Sequence, residues 1–187
     1  MKPKELLDIL SVAEKLKCNT RHCDTSSGRR ESVAELSWRL SLMAMLLTKE
    51  FQEADMNRVI RMCLIHDLGE AFTGDIPTFD KSKADTEKED DLLLAWVKTL
   101  PEDARAEFTA LLEEMNAMQS VEAKIYKALD KMEAVIQHNE SDIATWIPLE
   151  YDLQLRYGAE NVKFSPWFQS LKAEIDSWPK RKIAESK

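Results

Sequence analysis

His66, Asp67, Glu70 and Asp75 fall within one stretch of ten residues, and their types suit metal and proton chemistry. His66-Asp67 closes an apolar run, Val59-Ile60-Arg61-Met62-Cys63-Leu64-Ile65. A polar pair in such a place needs partners, because burying an unpaired polar group costs a few kcal/mol. Successive helical residues point about 100° apart. At a helix end an imidazole and a carboxylate can therefore reach one cation. Nitrogen and oxygen donors of this kind suit Mn, Fe, Co, Zn or Mg. Taken alone, a His-Asp pair reads more readily as a cap on backbone groups. The carboxylates of Glu70 and Asp75, set beside Gly69 and Gly74, shift that balance. Clustered acids destabilise one another unless a cation or proton intervenes, and a divalent metal supplies the cation.

These residues need helices to position them, and helical periodicity dominates the chain. The spacing predicts a helix over about Lys4 to Lys17, then a polar loop through Arg29. A longer helix follows over about Glu31 to Phe51, with an apolar stripe at Val33, Leu36, Leu40, Met43 and Leu47. A third covers about Ala54 to Asp67, and Gly69 to Asp80 reads as a loop. Further helices are expected at about Thr86 to Leu100, Pro101 to Met118 and Val121 to Asn139. Shorter ones fall at Leu149 to Tyr157 and Ser165 to Trp178, before a frayed charged tail over 180–187. No β-alternation stands out. In the Val121 helix, Asp130 lies off the stripe of Ile125, Leu129, Met132 and Ile136, on a face with Tyr126, Glu133 and Gln137. By position alone it is a solvated residue. The acidic run Glu87 to Asp91 reads as a solvated helix start, from which one carboxylate could approach the site.

The run His66-Asp67-Leu68-Gly69-Glu70, followed by Gly74-Asp75-Ile76-Pro77, resembles the HD-domain hydrolase superfamily, in the branch that holds the 5′-deoxynucleotidases. Arg30-Glu31-Ser32-Val33-Ala34-Glu35 matches the entry to that family's second helix, and Ala128-Leu129-Asp130-Lys131 matches the helix bearing its last metal ligand. The resemblance implies an all-α, HD-type bundle of about six to eight helices in one domain over 1–187, with the motif-bearing core over about 10–139 and C-terminal helices over 149–178. It implies that His66, Asp67 and Asp130 bind a divalent metal, that Glu70 and Asp75 activate water and manage the leaving group's proton, and that Arg21 holds a phosphate. The expected activity is then release of phosphate from nucleoside 5′-monophosphates or similar small phosphomonoesters. The metal would acidify a bound water, a carboxylate would take its proton, and the arginine would grip the phosphate. A homodimer is implied by resemblance only.

Two positions depart from that pattern. The family's metal site begins with a histidine where this chain has Leu36, in Glu35-Leu36-Ser37-Trp38, and a sugar-contacting tryptophan is replaced by His22. Three readings follow. The remaining ligands hold a metal with water filling the gap, His22 supplies the missing nitrogen, or the chain survives as a metal-deficient, non-catalytic binding or scaffold protein.

Composition frames these expectations. Apolar residues make up 44 % of the 187, which argues against disorder. A net charge of −8 disfavours a nucleic-acid polymer as partner. It leaves room for a small anionic substrate in a locally positive pocket. Cys18, Cys23 and Cys63 form no paired motif, so a reducing, cytoplasmic setting is expected. The N-terminus does not read as a signal peptide, and no run suits a membrane span.

Overall fold

The computed structural model describes residues 1–186 as a helical bundle with one small hairpin, and Lys187 lies outside the described residues. Helix α1 (Pro3–Cys18) leads into strands β1 (Thr20–Asp24) and β2 (Arg30–Ser32). Then come α2 (Val33–Leu46), α3 (Met56–Ile65), α4 (Glu70–Thr73), α5 (Lys83–Val97), α6 (Glu102–Ala117), α7 (Val121–Glu140), α8 (Glu150–Arg156) and α9 (Pro166–Glu185).

Local chemistry sets the helix starts. Ser32 caps α2 and Glu35 reaches back to the Ser32 amide, a reciprocal box that Ser82 and Asp85 repeat on α5. Asp55 caps α3 and Ser120 caps α7 through single side-chain oxygens. The apolar faces of α2, α3 and α7 meet in the centre. There Val33, Leu40, Met62, Cys63, Ile125, Leu129 and Met132 are buried, with Phe168 of α9 closing one side.

The hairpin was not expected from the sequence. Its strands pair antiparallel, Thr20 with Ser32 and Asp24 with Arg30, around an irregularity. Gly28, at φ 81°, makes the turn. Strands this short, lacking alternation, leave no periodic trace.

The tail differs as well, since α9 runs on to Glu185 through Pro179 rather than fraying after Trp178. Pro179 has no N–H to give to the carbonyl of Ile175 one turn back. The Asn139 side-chain amide donates to that carbonyl instead, at 3.2 Å. Lys182 then donates to the Asn139 carbonyl at 2.7 Å, so α9 is fastened to the end of α7 beyond the proline.

Candidate functional site

The last turn of α3, the short α4, the hairpin, α2 and α7 converge on one cleft. Arg21, Leu36, Asp67, Glu70, Asp75 and Asp130 all line it. His66 ends α3 with its side chain buried against the neighbouring groove, which it shares with Asp67 and Glu89. The residues singled out from the sequence are thus brought together. Asn19 at the end of α1 donates to the Glu70 carbonyl at 2.6 Å and so ties α4 in place. Gly69 allows a close approach: a Cβ there would lie 2.6 Å from Cγ of Glu89. Glu89 is the carboxylate of the acidic run that reaches the site, where it pairs with Lys81 at 2.8 Å.

Charge within the cleft is settled by side chains. Asp130 Oδ2 lies 2.9 Å from Lys127 Nζ and 3.3 Å from Lys131 Nζ. Burial would raise the Asp130 carboxyl, but Lys127, Lys131 and His66 outweigh it and hold it well below the usual carboxylate range. His66 Nε2 lies 3.0 Å from Asp67 Oδ2 and 4.0 Å from Asp130 Oδ1. The shorter approach is an ion contact rather than an aligned hydrogen bond, since Nε2 has no hydrogen-bond partner. Nδ1 of the same ring lies 2.8 Å from the Cys63 carbonyl. Burial disfavours the imidazolium, but Asp67 and then Asp130 favour it more, and the histidine pKa is raised.

Leu36 closes the remaining side. It is 2 % exposed and packs as a core residue where a fourth donor would have to stand. Among the described residues, no group of three or more His, Cys, Asp or Glu side chains is arranged to hold a metal ion. The divalent cofactor expected on His66, Asp67 and Asp130 is therefore corrected, and with it the metal-dependent phosphohydrolase built on that ion. The physical reason is that one ligand position is apolar and the surviving donors are spent on internal ion pairs. His22 does not replace the missing nitrogen. It sits in β1, packs edge-on to Phe79 at 5.4 Å and faces Glu150 at 3.6 Å.

Glu70 is buried with one carboxylate oxygen unpartnered. Burial, then Asp67, Asp75 and Glu89, push its pKa up to about 10 against the pull of Lys81. Asp75 is raised as well, by burial and Asp67, with Arg21 opposing. Four basic side chains (Arg21, Lys81, Lys127, Lys131) line the cleft with four acidic ones (Asp67, Glu70, Asp75, Asp130), while Glu31 and Glu133 pair with Arg21 and Glu89 pairs with Lys81. An otherwise acidic protein thus gathers four basic side chains in one cleft.

Arg21 is held from behind by two buried glutamates that the sequence reading had not assigned to the site. Its guanidinium lies 2.5 Å from Glu31 and 3.6 Å from Glu133, and Arg39 meets Glu133 from α2 at 3.0 Å. The face bearing Asp130 and Glu133 is therefore interior rather than solvated. Lys127 and Lys131 were also missed, although Lys127, three residues before Asp130 on one helix, was a readable signal.

Comparison with known proteins follows the same lines. A family profile described as HD domain matches residues 13–172. The human protein named 5′-deoxynucleotidase HDDC2 is 34 % identical over 114 residues, a match spanning 60 % of this chain and 55 % of that protein. Its bovine counterpart is 32 % identical over 157 residues, covering 82 % of this chain and 75 % of its own length. The chain thus spans only about half the length of the human relative. A crystal structure from Magnetospirillum magnetotacticum MS-1, whose description reads "Predicted metal-dependent phosphohydrolase", superposes with a TM-score of 0.80 at 27 % identity. It covers 98 % of this chain and 93 % of its own.

Proposed function

The chain belongs to the HD-domain family, and from that premise we propose that it is a metal-deficient, non-catalytic member that binds a small phosphate ester, with a nucleoside 5′-monophosphate as the chemical type. The observation that carries this reading is the buried Leu36 in the lining of the cleft, beside an Asp130 already neutralised by Lys127 and Lys131. What remains is a preorganised recess that gathers Arg21, Lys81, Lys127 and Lys131. Arg21 is braced by Glu31 and Glu133 and offers a forked donor to phosphate oxygens. Glu70, Asp75 and Arg21 then act as binding groups that orient the ester. The relatives' printed name, 5′-deoxynucleotidase, supports the choice of ligand type.

A second copy of the chain is part of the proposal. Trp38 and Leu46 on α2 are 64 % and 68 % exposed, an apolar face of the kind that a self-association covers. Among the described residues no helix is long and apolar enough to cross a membrane.

Isothermal titration of the four deoxynucleoside 5′-monophosphates into protein held in excess chelator tests the reading. Binding is expected without metal, weakened about tenfold in Arg21→Lys, which keeps the charge and loses the fork. Binding that vanishes with chelator, or phosphate released in its absence, contradicts it.

A further inference from the structure

A second cavity opens off the cleft, between β1, α7 and α8. The two share Arg21, Asp75, Thr78, Ala134 and Tyr157. The second is a narrower recess, with a cavity volume of about 80 Å³. Its walls differ in character from the charged cleft. Phe79, His22, Tyr157 and Leu153 give it aromatic and aliphatic surface.

One polar group in that wall has no partner. Gln154 is 4 % exposed, lines the cavity, and its Oε1 makes no hydrogen bond. Buried amide oxygens are almost always paired, so an orphan in a residue of the cavity wall leaves a place for a donor from outside the protein. The side chain is also rigidly placed. Gln154 lies one helical turn beyond Glu150, whose buried carboxylate accepts from the Ile147 amide at 2.9 Å. The same carboxylate meets His138 at 2.8 Å and His22 at 3.6 Å. It therefore locks α8 to α7 and to the hairpin. Tyr157 sits at the junction of the two cavities, its hydroxyl 2.9 Å from Lys131 Nζ and 3.1 Å from Thr78 Oγ1.

We propose that Gln154 is the specificity-determining residue of this protein, reading the N–H-bearing edge of a planar heteroaromatic group that enters the second cavity while its phosphate rests on Arg21. This rests on the phosphate-ester reading above and adds which end of the ligand is discriminated. The orphaned oxygen accepts from the ring edge, the amide nitrogen is free to donate to a neighbouring acceptor, and Phe79 and Tyr157 flank the ring.

Titration of the parent, Gln154→Leu and Gln154→Glu with the four deoxynucleoside 5′-monophosphates, base-free 2-deoxyribose 5-phosphate and inorganic phosphate tests this. The parent is expected to bind nucleotides more tightly than 2-deoxyribose 5-phosphate. Gln154→Leu should weaken nucleotides about tenfold, the loss of one well-made hydrogen bond, and leave the two base-free ligands unchanged. Gln154→Glu keeps the volume and removes the donor, and should reorder the four bases. Equal losses for nucleotides and base-free ligands, no loss for nucleotides in Gln154→Leu, or an unaltered base ranking in Gln154→Glu overturns the assignment. A parent that binds 2-deoxyribose 5-phosphate as tightly as any nucleotide sinks this inference alone. A parent that binds none of the six sinks the phosphate-ester reading with it.

Discussion

Replacing Leu36 with histidine should turn this protein into one whose stability depends on a divalent metal. Leu36 is 2 % exposed in the cleft wall shared with Asp67 and Asp130. Losing its burial costs about 1.5–3 kcal/mol. The incoming imidazole, without a partner, adds roughly 1–3 kcal/mol. Since the imidazole partly fills the space, a net loss of about 3 kcal/mol is expected in chelator. For a chain of this size that lowers Tm by about 6–12 °C. With Mn²⁺ or Co²⁺ the variant has a fourth donor facing His66, Asp67 and Asp130. Binding at a hundred times Kd returns about 2.7 kcal/mol, most of what was lost. Thermal unfolding followed by circular dichroism, with and without metal, reads both numbers on one sample. The parent should be indifferent to the same metal. If the parent is stabilised as much as Leu36→His, the leucine is not what disables the site. If Leu36→His takes up no metal at all, the lysine-neutralised carboxylates, rather than the leucine, are the controlling feature.

Two further outcomes follow from buried charge and from exposed surface. Glu70, raised from 4.5 to about 10, keeps its proton in the folded state while the unfolded chain releases it above about pH 4.5. The folded protein therefore binds more protons in that window, and stability falls as pH rises, by up to ~1.4 kcal/mol per unit for this group. Urea unfolding between about pH 6 and 8 should show that decline flattened in Glu70→Gln, and an unchanged slope would remove the burial argument. Trp38→Glu, at a position 64 % exposed on α2, should convert a dimer to a monomer in analytical ultracentrifugation without altering the helical signal. A parent that is monomeric at every concentration would discard that surface.

Much of this architecture is written in the pattern of apolar residues, and the site's convergence is written in its motifs. The stripe of Leu36 and Leu40 revealed α2, although the helix starts at Val33, behind the Ser32–Glu35 cap, and stops at Leu46 rather than near Phe51. His66, Asp67, Glu70 and Asp75 lie at helix ends or a turn, and Asp130 meets them from the middle of α7. What they do once together was not legible. The metal reading took Asp130 as free to coordinate, whereas Lys127 and Lys131 occupy it from its own helix. The clamp of Glu31 and Glu133 on Arg21 joins residues about 110 positions apart and has no local signature. Gln154 carried no signal at all, because only the tertiary packing of α8 buries it. The run of α9 past Pro179 shows the same limit: the proline reads as a breaker until Asn139, on another helix, supplies the missing donor.

The central claim is that side chains, and not a metal ion, balance the charge of this cleft. Elemental analysis of protein purified without added metal, then equilibrated with Mn²⁺ and passed through a desalting column, tests it most directly. The account predicts far less than one metal ion per chain before and after loading. One tightly retained ion per chain, accompanied by release of phosphate from a deoxynucleoside 5′-monophosphate, would contradict it.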